Sequence, residues 1–440
     1  MPPTVAIVGA GVVGVATARE LSLRGLDCVV IERNAEPAGC TSFANAGRFC
    51  PAAMASGPLA SPAAAAGLAS SLWAAVTGAQ GAAVSDPSPS RVEFSANLLS
   101  WGCRFLVNCL PSRHAANTTS LNALAELCKE ATGAALADIE ATLGSAALAD
   151  VCIRQGTMYM LADGAALDKK VAVLDAIATP IVRFDVLRED TARSAFPFVK
   201  AWARPLPGVV HVTSDFTVDA RAFTAALTRV CEKERPGRGH VQFMYNTEVG
   251  GPVVGDGGRV TALRTTAGDV RCDAVVLAAG LPTRDLAASW LGVWLPMVGM
   301  QGYSVDIIGA TGSVPTMAVA DYSSGPLSFQ MTPLAPGTLR LIGHGEFVSG
   351  SVPQAPPAHC DAAATALLDR LAAVLPDVAF ESRKATWCGL RPMTPDNLPI
   401  VSTVPGFANV VLDCGHGSMG WTSSCATAVL AADLVCDAVG

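Results

Sequence analysis

The stretch that most constrains this chain runs from residue 4 to residue 32. A short apolar, β-branched run, Thr4–Val8, leads straight into Gly9-Ala10-Gly11-Val12-Val13-Gly14. An amphipathic helical pattern follows to about Arg24, and a second apolar run at 28–31 ends on Glu32. Strand, Gly-x-Gly-x-x-Gly, helix, strand and acid thus occur in register, the arrangement of a dinucleotide-binding βαβ unit, whose acid falls about 20 residues beyond the glycines. Each glycine has its own reason. Gly9 makes the tight turn, Gly11 lets backbone approach a pyrophosphate, and Gly14 lets the helix lie close on the strand. The anion then rests on free N–H groups at the helix N-terminus, around Val12, Val13 and Gly14. Glu32, with Arg33 beside it, is placed to accept hydrogen bonds from a ribose diol. A glycine-rich turn in an ordinary α/β sheet is the alternative for the motif taken alone.

At 440 residues, 51% hydrophobic and 15% charged, the chain has the interior for a large core and two or three domains. A net charge of −7 argues against nucleic acid as the main partner. Among 14 cysteines there is no CxxC pair, and the six histidines do not cluster with them, so no metal site is expected. Scattered cysteines of this kind read as small buried hydrophobes in a reducing compartment. With a first strand starting at Thr4, no signal or transit peptide is expected, and no targeting tripeptide is seen.

Residues 49–85 carry no charge, but Pro51, Pro58 and Pro62 break the run, so a surface loop over the active site is favoured over a membrane span. Contact with a membrane surface is the sharper alternative. Residues 91–143 read as helices, with Leu121, Leu124, Cys128, Ala131, Ala135 and Ile139 at helical spacing. Short strands are expected at 153–161 and 181–184, a helix led by Asp219 over 217–234, a strand at 241–245, and a hairpin over 259–277. Two antiparallel strands, 327–331 and 338–346, and a helix at 361–375 come next. Near the end, a strand at 409–412 runs into a second glycine motif, Gly415-His416-Gly417-Ser418-Met419-Gly420, and a last helix. No strand and acid follow it, so it is expected to supply a helix N-terminus for developing negative charge rather than a second nucleotide unit.

GAGVVG at 9–14, TSFANAG at 41–47, GLRPMTPD at 389–396 and GHGSMGWT at 415–422 occur in one order along the chain. In these motifs the chain resembles the D-amino-acid dehydrogenases, within the flavin-dependent family that includes glycine and sarcosine oxidases. The resemblance implies an α/β fold, α+β overall: a Rossmann-like FAD-binding domain (1–50, 205–295 and 385–440) and an antiparallel-sheet substrate domain (51–204 and 296–384). It implies FAD as cofactor, with Gly9, Gly11 and Gly14 on the pyrophosphate and Glu32 on the adenosine ribose. Thr41, Ser42, Asn45, Ala46 and Gly47 would lie along the ribityl chain and isoalloxazine. Val249 would meet the adenine, Ala279 and Gly280 would support the pyrophosphate, and Gly415, Gly417, Ser418, Met419 and Gly420 would reach the flavin pyrimidine.

Arg391 is similar to the family's carboxylate-binding arginine, a role that suits a planar guanidinium able to grip a carboxylate bidentately; a structural arginine before Pro392 is the alternative. Tyr303 and His344, in the expected roof strands, are further substrate-pocket candidates, with Tyr303 also a catalytic one. Two positions depart from the pattern. Arg48 stands where a neutral polar residue is usual, which makes it a candidate for substrate or acceptor selection. Cys388 lies where sarcosine oxidases carry a flavin-linking cysteine, although a small buried cysteine is the commoner reading.

The expected reaction is oxidative deamination of a D-amino acid to a 2-oxo acid and ammonia, with hydride passing from Cα to flavin N5. Oxidation of glycine, sarcosine or proline-like amines, or a non-catalytic flavin-binding subunit, are the alternatives. A quinone or another carrier is the expected acceptor, because sarcosine oxidases place a lysine near the flavin and here none occurs between Lys233 and Lys384. The protein is expected in the cytoplasm, with peripheral membrane contact through the uncharged segment as the variant of that reading.

Overall fold

The computed structural model describes residues 2–56, 95–151, 153–177, 182–323, 329–352 and 357–440. Most of the uncharged stretch 49–85 therefore lies outside the described residues, and so does the start of the strand expected at 327–331.

Thr4–Val8 sits in the middle of a six-stranded sheet ordered Ile400–Val404, Phe407–Cys414, Ala274–Leu277, Thr4–Val8, Asp27–Ile31, Val241–Met244. All neighbours are parallel except the first pair, which is an antiparallel hairpin. Strands covered on both faces read as continuous apolar runs, and Ala274–Leu277 is buried at every position. One face packs against Val12–Leu23, Ala220–Cys231 and Gly420–Val439, with the helix Pro111–Leu143 behind them. A three-stranded meander and the helix Pro282–Leu291 close the other face.

Several local expectations hold. Asp219 caps Ala220–Cys231 by accepting hydrogen bonds from the backbone N–H groups of Arg221 and Ala222. Pro111 opens the 33-residue helix at a position where its missing N–H costs nothing, and Leu121, Cys128, Ala135 and Ile139 are buried along it. The hairpin at 259–277 forms only in part. Val260–Thr265 pairs with Val270–Arg271, but Ala274–Leu277 leaves for the centre of the six-stranded sheet, where its apolar residues are covered on both sides. The strand expected at 181–184 begins later, at Phe184–Arg188.

The second sheet has ten strands and mixed orientation, and its main path runs Ser382–Arg383, Val298–Ile308, Thr338–Val348, Phe329–Ala335, Ala318–Tyr322, Arg154–Leu161, Gly208–Thr217, Arg48–Phe49. Trp387–Met393 also pairs with Val298–Ile308, and Phe184–Arg188 with Gly208–Thr217. Arg48–Phe49, Gly208–Thr217 and Trp387–Met393 fall within the stretches expected to form the FAD-binding part, and all three hydrogen-bond into this larger sheet.

Alternation decides what each face carries. Met158, Met160, Val319, Met331, Leu341, Tyr303 and Val305 point to one face and pack with Leu367 and Leu371 of the helix Pro357–Val374. Their neighbours Tyr159, Ala320, Gln330, Ile342, Ser304, Gly302 and, through Met300, Arg391 are cross-strand partners on the other face. Among the described residues one helical stretch, Gly417–Val439, is long and apolar enough to cross a membrane, but over half of it is buried inside the protein as a core helix.

Candidate active site

The glycine turn is built as the sequence suggests. Gly9 has φ +105°, where a side chain would be strained, and a Cβ on Gly14 would stand 1.9 Å from the Gly9 carbonyl oxygen. Gly11 differs: a Cβ there would meet nothing closer than the Ser42 Oγ at 3.6 Å. It N-caps Val12–Leu23 with no side-chain cap, so open space lies above a helix N-terminus. Ser42 Oγ accepts a hydrogen bond from the Val12 N–H at 3.2 Å. The Glu32 carboxylate accepts from the Ala10 N–H at 2.8 Å and from the Asn34 N–H at 2.9 Å, which holds it against the turn. Arg33 is exposed beside it. Ala279 and Gly280 follow the central strand Ala274–Leu277, and a Cβ at Gly280 would meet nothing within 4 Å. Val249 opens a strand two residues past Thr247, whose N–H donates to the Glu32 carbonyl. A helix N-terminus whose N-cap residue has no side chain, an open cradle and an oriented carboxylate fit an extended dinucleotide such as FAD.

The segment 41–49 crosses from this turn to the open face of the ten-stranded sheet, and the sheet pins it there. Thr41 donates to the Leu390 carbonyl at 2.8 Å, Ser304 to the Ala44 carbonyl at 2.9 Å, Arg340 to the Asn45 carbonyl at 3.3 Å, and Thr332 to the Ala46 carbonyl at 3.0 Å. Asn45 Oδ1 accepts from the Gly47 N–H. Gly47 has φ +62°, and a Cβ there would stand 1.9 Å from the Val218 carbonyl oxygen, so only glycine fits. Gly415–Gly420 comes to the same place: Ser418 contacts Met393 through its Oγ, and Thr422 donates to the Arg48 carbonyl at 3.2 Å. Sequence reasoning missed Ser304, Thr332 and Arg340. The signal for them was strand alternation, which a single sequence leaves unphased until the register is known.

Arg391 lies across Gly302 on the neighbouring strand. A Cβ at Gly302 would be 2.2 Å from Arg391 Nη1 and 2.7 Å from Cζ. The residue keeps some accessible surface, but its Nη1 is buried and has no hydrogen-bond partner among the described residues. Burial without a counter-charge pulls its pKa below the ordinary guanidinium value. A buried cation left in this state is a receptor for an anion.

Farther along the same face stands Arg48. Its Nη2 donates to the Tyr159 hydroxyl at 2.8 Å and its Nη1 to Gln330 Oε1 at 3.3 Å, with the guanidinium 5.3 Å from the Tyr159 ring centroid. Its Nε has no hydrogen-bond partner among the described residues, while Thr157 lies beside the buried Asp215 carboxylate and favours its charged form. Lys170 places its Nζ 4.0 Å from the Tyr159 centroid. Burial works against the Arg48 charge, but Tyr159, Cys50, Tyr322 and Asp215 around it more than offset that and raise its pKa. Burial pushes the Asp215 carboxyl up to about 6, against the pull of Arg48. Burial, then Arg48, bring Lys170 down to about 8. Tyr159, Lys170, Asp215 and Gln330 were not singled out from sequence, since they come from four separate elements.

Two expectations need correction. Tyr303 does not share the pocket with Arg391. It pairs with Cys388 while Arg391 pairs with Met300, so alternation sends it to the helix-covered face. There it is 1% exposed and donates to Glu346 Oε2 at 2.8 Å. His344 sits in an irregular part of Thr338–Val348 with φ +61°, edge-on to Tyr303 at 6.0 Å. It belongs to the surroundings of that tyrosine. Cys388, for which a small buried cysteine is the commoner reading, is on the same helix-covered side, packed against the Pro357–Val374 cluster and on the face opposite Arg391.

Comparison with known proteins agrees with this architecture. The model of the FAD dependent oxidoreductase family, DAO, matches residues 4–434. A D-amino acid dehydrogenase of Cereibacter sphaeroides is 32% identical over 439 residues, covering 98% of this chain and 91% of the relative. Another, from Rhizorhabdus wittichii, is 30% identical over 448 residues, covering 98% and 95%. Among solved structures, the glycine oxidase of Bacillus cereus superposes with a TM-score of 0.66 at 18% identity, covering 99% of this chain and 95% of that one.

Proposed function

Because this chain belongs to the FAD dependent oxidoreductase (DAO) family and is an FAD-dependent enzyme of amino-acid oxidation, we propose that its substrate is a D-amino acid, deaminated to the 2-oxo acid and ammonia. The observation that carries the reading is Arg391: a guanidinium fixed across Gly302, partly buried, with no hydrogen-bond partner for its Nη1 among the described residues. Relatives named D-amino acid dehydrogenase along nearly the whole chain support the choice of the D series.

FAD, when bound, supplies the two-electron acceptor for the Cα hydrogen and its electron pair. The protein's contribution is positioning, the term that dominates when no acid–base side chain must act on the reacting bond. Arg391 grips the substrate carboxylate and so fixes which way Cα–H points. Ser304, Thr332 and Arg340 hold the 44–46 carbonyls, and with them the backbone that faces the cofactor. The nitrogen loses one proton as the imine forms, and water completes the conversion by releasing ammonia. Gly9, Gly11, Gly14, Glu32, Ser42, Ala279 and Gly280 are proposed for the pyrophosphate and ribose, with Asn45, Ala46, Gly47 and Gly415–Gly420 at the flavin ring. The decisive test is anaerobic bleaching of the flavin by a panel of D- and L-amino acids, glycine, sarcosine and proline. Bleaching by D-amino acids first is the expected result, and bleaching only by glycine, sarcosine or proline refutes the reading.

The acceptor is proposed to be a quinone or another carrier rather than oxygen, with the enzyme in the cytoplasm and able to touch a membrane. Exposed Leu99, Leu106, Val107 and Leu110, on and beside the helix Ala96–Asn108, support that contact. The missing lysine between 233 and 384 is a weaker support, since the fold brings Lys170 into the Arg48 cluster. Substrate-reduced enzyme mixed with air-saturated buffer or with a soluble quinone decides this; turnover with oxygen that equals or exceeds the quinone rate overturns it.

A further inference from the structure

Resting on the assignment of Arg391 to the amino-acid carboxylate, we propose that Arg48 anchors the substrate side chain and selects D-amino acids that carry a second carboxylate, of the aspartate and glutamate type. The first support is electrostatic. Among the described residues four arginines are buried as whole residues. Arg19, Arg284 and Arg340 each meet an aspartate directly, at 2.9, 2.8 and 2.7 Å. Arg48 alone of the four forms no such ion pair, the situation also seen at Arg391 Nη1. The two hydrogen bonds of Arg48 go to neutral groups, so the guanidinium keeps the capacity to pair with an anion that a ligand supplies. Lys170 and Asp215, the other charged groups of the cluster, offset one another, which leaves the subsite one net positive charge for one negative group.

The second support is placement. Arg391 crosses Gly302 on Val298–Ile308, and Arg48 reaches Gln330 on Phe329–Ala335, with only Thr338–Val348 between those strands. Gln330 pairs with Ile342 and Ile342 with Ser304, so Gly302 and Gln330 stand two strands across and two residues along from one another on the same face, about 12 Å apart. Each charge-assisted contact takes about 2.8 Å, which leaves a span of about 6 Å for the two bound carboxylates. That gap suits a short dicarboxylic amino acid, and a small side chain such as that of alanine does not reach Arg48. The third support is rigidity: Tyr159 and Gln330 fix two nitrogens of Arg48 and leave the buried Nε to donate. Pre-organised donors of this kind reject ligands that leave them unpaired.

The test compares kcat/KM for D-glutamate, D-aspartate and D-alanine in the holoenzyme and in Arg48→Gln. The expected result is a preference for the acidic substrates, with the D-glutamate to D-alanine ratio falling about 10- to 150-fold in the variant. Tyr159→Phe, which loosens Arg48 and keeps its charge, lowers the ratio by a smaller factor. If Arg48→Gln does not retain flavin, the unmodified holoenzyme is titrated with glutarate and with butyrate while flavin absorbance is followed. Glutarate binding at least about tenfold tighter than butyrate supports the subsite, and equal affinities overturn it. Bleaching by D-alanine with none by acidic D-amino acids overturns this inference alone, whereas no bleaching by any D-amino acid overturns the proposed function itself.

Discussion

Gly302→Ala adds one methyl group where Arg391 lies, and its effect follows from the geometry. The new Cβ would stand 2.2 Å from Nη1, 2.6 Å from Nη2 and 2.7 Å from Cζ. Ordinary contact between such atoms begins near about 3.5 Å, so the guanidinium must retreat by roughly 1 Å. The obstacle is the tip of a flexible side chain, and Gly302 stays paired with Gly389 on one side even though the pairing with Thr338–Val348 is irregular there, so folding is expected to survive. The site bears the cost. Charge-assisted hydrogen bonds to a carboxylate contribute about 1.5–3 kcal/mol, and displacement by about 1 Å forfeits much of that. The expected outcome is a 10- to 100-fold fall in kcat/KM for carboxylate substrates, with flavin content and melting temperature close to those of the parent. The assay is steady-state turnover of a D-amino acid beside its amide or amine analogue, with the flavin spectrum as a control. A variant within about threefold of the parent on the carboxylate substrate would show that Arg391 does not grip it. An equal fall on the neutral analogue would mean that the pocket, not the carboxylate contact, was damaged.

Gly11→Val has room in the protein itself, where the nearest atom to a Cβ is 3.6 Å away, so it should give folded but colourless protein; a full flavin spectrum in this variant contradicts the assigned cradle. Asp138→Asn removes the carboxylate shared by Arg19, Arg235 and Arg238 and should cost about 3 kcal/mol, read from denaturant unfolding, because it strands a buried cation. The same aspartate sets an acid limit: bonds from Arg238, Arg235 and Arg19 overcome its burial and hold its pKa well below the carboxylate range. Its folded pKa is depressed, so its stabilisation is present above the unfolded value of about 3.9 and drains away as pH falls below that. Circular dichroism should show acid unfolding of Asp138→Asn shifted less steeply with pH below about 4 than that of the parent; identical slopes would remove Asp138 from the explanation.

The dinucleotide end was legible because its parts are local. Turn, helix and second strand follow one another within residues 4–32; Gly9 and Gly14 have steric reasons that survive in the structure, and Gly11 keeps the space above the helix N-terminus open. The larger sheet was legible only in fragments. Arg154–Leu161 pairs parallel with Ala318–Tyr322, and nothing near either strand announces the other. The error over Tyr303 is of one residue. Its neighbour Gly302 faces Arg391, and a shift of one position along a strand exchanges the two faces. Arg48 was noticed as a departure, but Tyr159, Gln330, Lys170 and Asp215 reach it from distant elements, and chemistry assembled this way leaves no spacing in the sequence to read. Ala274–Leu277 was placed in a hairpin because it follows a good turn; burial on both faces outweighed that local preference.

The position of Thr4–Val8 has a consequence for how this protein is made. It leaves the ribosome before any of its sheet neighbours, and it ends at the middle of its sheet, between Asp27–Ile31 and Ala274–Leu277, with Phe407–Cys414 one strand farther out. One flank is available within moments of synthesis. The other must wait for some 270 residues, and the sheet is complete only after Phe407–Cys414 has been made. Pairings this distant in sequence are slow to form and leave apolar strand edges uncovered meanwhile. The nascent chain therefore carries its nucleotide turn as an unfinished, adhesive surface through most of translation, and chaperone supply rather than intrinsic stability is expected to limit its yield. A chain truncated before residue 407 should gather in inclusion bodies, although every residue of the glycine fingerprint is present in it.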